Sequence, residues 1–133
     1  MTKFSYSQLD KITFKECKLV GVNFGVCTDL LFSVKFEHCI LDCCAFTGKN
    51  MRNTIFSDST VREVDFSECE LSNSSFHNSD LSKSVFNQTK LTGVDFTTAF
   101  NYSIDPEINN IQQAKFSIHG VSGLLDKYDI HIE

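Results

Sequence analysis

The chain has 133 residues, 41% of them hydrophobic, with one Pro, six Gly and a formal net charge of −5 at pH 7. That length suits one domain, the hydrophobic share suffices for a core, and so few Pro and Gly argue against a long flexible linker. The acidic balance disfavours direct binding to nucleic-acid phosphates; no apolar run is long enough to span a membrane and the amino terminus lacks a signal-peptide core, so a cytoplasmic location is expected.

From the first residues, large apolar side chains recur at every fifth position: Phe4, Leu9, Phe14, Leu19 and Phe24. A repeat that begins this close to Met1 would leave its first coil uncovered, which predicts either a longer parent chain or another molecule over that end. Between Phe24 and Leu31 the step is seven, so residues 25–30 hold two extra residues. A small outward bulge absorbs such an insertion and lets the pattern resume in phase. Insertions in repeat proteins often lie on a binding face, although a bulge this short needs no role.

The most regular stretch runs from Phe36 to Phe96, with anchors Phe36, Leu41, Phe46, Met51, Phe56, Val61, Phe66, Leu71, Phe76, Leu81, Phe86, Leu91 and Phe96. Five residues turn an α-helical side chain about 140° past its starting direction, so no apolar stripe could form on a helix. A flat strand, whose side chains alternate, fits no better. Two residues before each anchor stands a small or β-branched residue, Lys49 being the one departure. A chain that turns two of every five residues inward and then turns a corner makes a coil, and coils stack at the ordinary strand spacing into a solenoid. The anchors alternate Phe and aliphatic without exception, which allows any even number of repeats per coil. With four, Phe36, Phe56, Phe76 and Phe96 form one column and Phe46, Phe66 and Phe86 another. Each buried Phe contributes about 1.5–3 kcal/mol relative to exposure, so such a ladder can offset the ordering of many polar residues.

After Phe96 the pattern loosens. Residues 101–110 read as an irregular last coil with a turn at Asp105-Pro106, and Ile111 and Phe116 return to the anchor spacing. Ile118, Val121, Leu124, Leu125 and Tyr128 follow helical spacing and predict a short helix over 119–127, weakened by Gly120 and Gly123. Ile130-His131-Ile132 would make a brief closing strand. The chain thus divides into a repeat body, 1–116, and a carboxy-terminal cap, 117–133. The patch formed by Ile118, Val121, Leu124, Leu125, Tyr128, Ile130 and Ile132 is too apolar to leave wet, and a homodimer through it is expected ahead of a simple fold-down cap.

Val64-Asp65-Phe66-Ser67-Glu68, Ser79-Asp80-Leu81-Ser82-Lys83 and Val94-Asp95-Phe96-Thr97-Thr98 resemble the pentapeptide repeat motif, a small residue, then Asn or Asp, then Leu or Phe, then two polar residues. The resemblance implies an all-β solenoid, a right-handed quadrilateral β-helix with four pentapeptides per coil, capped by the short helix and strand. It carries little information on function. Tyr102 to Asn109, Ala114-Lys115-Phe116-Ser117 and Leu124-Leu125 resemble the tail of the Qnr-type quinolone-resistance and microcin B17 immunity subgroup. That resemblance implies a symmetric dimer joined by the tail. It also implies binding to DNA gyrase or topoisomerase IV and protection from poisons. The chain is shorter than those resistance proteins and lacks their long projecting loops.

No catalytic constellation is present: there is no phosphate loop, no nucleophile elbow, and no distinctive carboxylate pair, so an enzyme is not expected. Cys17, Cys39, Cys44 and Cys69 fall at the small inward position, where reduced cysteine serves as a core residue. Cys27, Cys43, His38 and Cys39 give no pair at the usual two-residue zinc-ligand spacing, so neither metal nor cofactor is expected. Asp58, Glu63, Asp65, Glu68 and Glu70 form the densest run of acids, opposed by Arg62. On a rod as wide as a duplex they could occupy a basic DNA-binding groove. They equally suit the solvated surface of a generic interaction or structural solenoid with another target.

Overall fold

The computed structural model describes residues 12–26 and 34–133. Phe4, Leu9, Cys27 and most of the 25–30 bulge lie outside the described residues. Four coils carry a three-residue strand centred on a Phe: β1 (Thr13–Lys15), β2 (Lys35–Glu37), β3 (Ile55–Ser57) and β4 (Ser75–His77). They form one parallel sheet in the order β1-β2-β3-β4. Phe36 pairs with Phe56 and Phe56 with Phe76, a register of twenty residues. Phe14 pairs with Phe36, a register of twenty-two, so the two extra residues are absorbed between them without loss of phase. Three further parallel ladders run along the stack, through Ile40, Thr60, Asp80 and Phe100, through Asn23, Ala45, Asp65 and Val85, and through Asn50, Glu70, Lys90 and Asn110.

Four ladders per coil turn the anchors inward. Phe36, Phe46, Phe56, Phe66, Phe76 and Phe96 are fully buried, Phe86 nearly so, and Phe116 packs half-buried at the end. One column stacks Phe14, Phe36, Phe56, Phe76, Phe96 and Phe116 with centroids 4.8–5.4 Å apart. The other stacks Phe24, Phe46, Phe66 and Phe86 at 4.6–5.5 Å. The columns meet edge to face at 5.6–6.4 Å, the arrangement that the ring quadrupole favours.

At the inward position before each anchor, the next coil decides where the backbone N–H goes. Where an oxygen-bearing Ser or Asn stands twenty residues on, the N–H donates to it: Cys39 to Ser59, Ser59 to Ser79, Thr54 to Ser74, Val64 to Ser84 and Thr89 to Asn109. Where Val, Cys, Thr or Ile stands there, the N–H closes its own turn instead, as Cys44 does onto Leu41, Lys49 onto Phe46, Cys69 onto Phe66 and Ser84 onto Leu81.

The carboxy-terminal segment departs from expectation. In place of a helix over 119–127 there are two 3₁₀ segments, Val121–Leu124 and Asp126–Tyr128, and residues 130–132 join no ladder. Close approach is the cause: a Cβ at Gly123 would overlap the Tyr102 carbonyl oxygen, and one at Gly120 the Tyr102 hydroxyl. The tail therefore follows the surface of the last coil rather than the helical spacing of its own apolar residues. Among the described residues, no helix is long and apolar enough to cross a membrane.

Candidate protein-binding surface

The five acids of the 58–70 stretch occupy one coil but two kinds of place. Asp58, Glu63 and Glu68 stand exposed at successive corners, each in the left-handed region at φ 50°, 55° and 59°. Asp65 and Glu70 stand half-buried on ladders between the corners. Asp65 accepts the Ser67 N–H and the Thr47 hydroxyl, both at 2.9 Å. Glu70 accepts the Ser72 N–H at 3.1 Å and the Ser72 hydroxyl, and lies 3.8 Å from the Lys90 ammonium. The run thus spans successive corners and faces of the coil.

Their electrostatics follow from those contacts. Burial pushes the Asp65 carboxyl up, but the bonds from Ser67 and Thr47 outweigh it and hold the group below the usual carboxylate range. Asp58 is held low by hydrogen bonds from Asn78 and Ser57, with His38 at 3.8 Å adding charge when protonated. Glu63 and Glu68 make no ion pair among the described residues.

Cys44 and Cys69 are core thiols. Burial pushes the Cys44 thiol up to about 11 and Cys69 up to about 12, and each donates to a carbonyl of an earlier coil, Leu19 at 2.7 Å and Phe46 at 2.9 Å. Cys43 is exposed, and the Glu63 carboxylate it faces at 3.4 Å raises its thiol. No group of three His, Cys, Asp or Glu among the described residues could hold a metal ion.

At the far end the tail is fastened to the last coil. The Ile104 N–H donates to the Gly123 carbonyl at 3.0 Å. The Lys127 ammonium lies 3.1 Å from Asp105 and 2.9 Å from Glu107, and the Tyr128 hydroxyl donates to Glu107 at 2.9 Å. Leu124 packs half-buried against the core. Ile118, at 90% exposure, and Val121, Leu125, Tyr128, Ile130 and Ile132 remain in solvent.

Residues 29–96, just over half of the chain, match the sequence profile described as pentapeptide repeat region. The chain belongs to the pentapeptide repeat family. No curated protein matches it in sequence. Among solved structures it is similar to a pentapeptide repeat protein from the Arabidopsis thaliana thylakoid lumen, at 16% identity and a TM-score of 0.50 over 73% of this chain. It spans 66% of that protein's length, just under two thirds. Trypsin-treated QnrB1, a plasmid-mediated fluoroquinolone resistance protein, aligns over 98% of this chain and 73% of its own at 20% identity and a TM-score of 0.39. Rfr23, a pentapeptide repeat protein from the cyanobacterium Cyanothece 51142, aligns over 81% of this chain and 89% of its own at 15% identity and a TM-score of 0.38.

In this pentapeptide repeat protein the second motif position has a structural duty that sequence reasoning missed. Asp65, Asp80, Asp95, Asp105 and Asn110 each accept the N–H two residues on, closing the corner that follows. The signal was present in the recurrence of Asp before the anchor. It marks those acids as turn elements rather than free surface charge.

Proposed function

We propose that this chain is a non-enzymatic, Qnr-like pentapeptide repeat protein that binds a DNA-binding protein, DNA gyrase or topoisomerase IV. Its carboxylates stand in for phosphates and shield the enzyme from inhibitors. The observation that carries the reading is the row of exposed acids at successive corners of one coil, Asp58, Glu63 and Glu68, the last two without a cation partner among the described residues. Carboxylates held on a rigid rod complement a basic groove at no cost of ordering. In this reading residues 1–116 are a right-handed, four-sided scaffold, and 117–133 are a cap and homodimer contact. The exposed apolar side chains of the tail support that contact. The protein acts in the cytoplasm without cofactor, metal or direct nucleic-acid contact.

A second reading, an interaction scaffold for another target, is favoured by Asp65 and Glu70, whose carboxylates are engaged by their own turns and thin the acidic surface. A gyrase supercoiling assay with and without a quinolone separates the two. Protection that disappears in a variant combining Asp58→Asn, Glu63→Gln and Glu68→Gln is the expected outcome; no effect of the parent protein on gyrase or topoisomerase IV leaves only the second reading.

A further inference from the structure

We propose that the cleft between the last coils and the carboxy-terminal tail binds a small zwitterion of the amino-acid type that bears an apolar or aromatic side group. The cleft has a volume of about 740 Å³, and Lys83, Phe100, Tyr102, His119 and Asp126 are among its lining residues. That size falls in the range of small-molecule sites.

Charge selects the occupant. Lys83 and Asp126 line the same space with opposite charges, both are exposed, and neither makes an ion pair among the described residues. A simple anion is repelled by Asp126 and by a chain of net charge −5, and a simple cation by Lys83. A molecule carrying both charges satisfies both side chains at once. Phe100, 48% exposed, offers a ring for the side group.

A second observation points to a missing partner. Tyr102 is only 5% exposed, and its buried hydroxyl has no hydrogen-bond partner among the described residues. Buried hydroxyls are nearly always satisfied. The hydroxyl lies against Gly120, another residue of the cleft wall, so it is the backbone there that separates it from the cleft. With Gly120 giving way, a carboxylate or amine held by Lys83 and Asp126 would supply what Tyr102 lacks.

None of the corner acids and none of the exposed apolar tail side chains lines this cleft, so the inference stands apart from topoisomerase binding and from dimerisation. The test is titration of the full chain with L-phenylalanine, followed by amide NMR shifts, with acetate and methylammonium as single-charge controls. Saturable shifts at Lys83, Phe100 and Asp126 are expected, with affinity about tenfold weaker in Lys83→Gln and in Asp126→Asn at an unchanged melting temperature. Absence of saturation overturns the proposal. So do equal affinity for either control ion and undiminished binding by both variants.

Discussion

Gln88 holds its backbone at φ 54°, a region that costs a residue with a Cβ about 1–2 kcal/mol. Glu16, His38, Cys43, Lys83 and others share that strain at the same point of the repeat, whereas Gly21, Gly48 and Gly93 adopt the region without it. Gln88→Gly should therefore raise stability by about 0.5–1 kcal/mol after the entropy of glycine is subtracted, read as a higher urea midpoint. An unchanged or lower midpoint would mean that the corner is not strained. Asn109 works in the other direction. Its amide accepts the Thr89 N–H and donates to the Phe86 and Asp105 carbonyls, each at 2.9 Å, inside the irregular last coil. Asn109→Ala strands those groups and should cost about 2–3 kcal/mol; the same denaturation experiment checks it.

At the scale of the turn, the second-position acids link stability to pH. Burial raises Asp80 but the Ser82 bonds outweigh it, while at Asp95 the Thr97 hydroxyl dominates; both carboxyls end below their ordinary range. A carboxyl depressed in the folded state stabilises fully above its unfolded value, near ~3.9. That contribution is lost as pH falls through the folded value. Melting temperature should hold level above about pH 5 and fall steeply below about pH 4, and Asp95→Asn, which keeps a turn acceptor without the titration, should flatten part of that fall. A fall that Asp95→Asn leaves untouched would assign it to other groups. The elements themselves were largely readable beforehand, because Phe66 or Leu71 repeats a rule obeyed at every fifth residue. The left-handed corners were only partly readable: Gly48, Asn53, Asn73, Asn78 and Gly93 suit that region, but Glu, Lys, His and Cys share it. The tail was misread as a helix because the path at Gly120 and Gly123 is set by Tyr102, a contact invisible to local spacing.

For the molecule as a whole, the tail is an appendage held by few bonds. Glu107 and Asp105 hold Lys127 protonated well above its ordinary range. Lys127→Ala should speed amide exchange over 118–128 and leave 36–96 as protected as before, a local opening that hydrogen exchange resolves. Slower exchange, or loss of protection throughout, would mean that the tail and coils unfold together. The candidate surface was half legible: the acids stood out as a run, but which of them remain available to a partner depends on hydrogen bonds such as Thr47 to Asp65, which join residues from different coils.

The donor choice at the inward position also guards alignment. Sliding one coil by ten residues would still lay Phe over Phe, so the rings alone cannot forbid it. The oxygens can. Cys39 would then face Lys49 in place of Ser59, Thr54 would face Val64, Ser59 would face Cys69, and Thr89 would face Ala99, and only Val64 would still meet a serine, Ser74. Scattered hydroxyls thus act as a checksum that a misthreaded spiral fails, and aromatic bulk supplies cohesion without supplying the address.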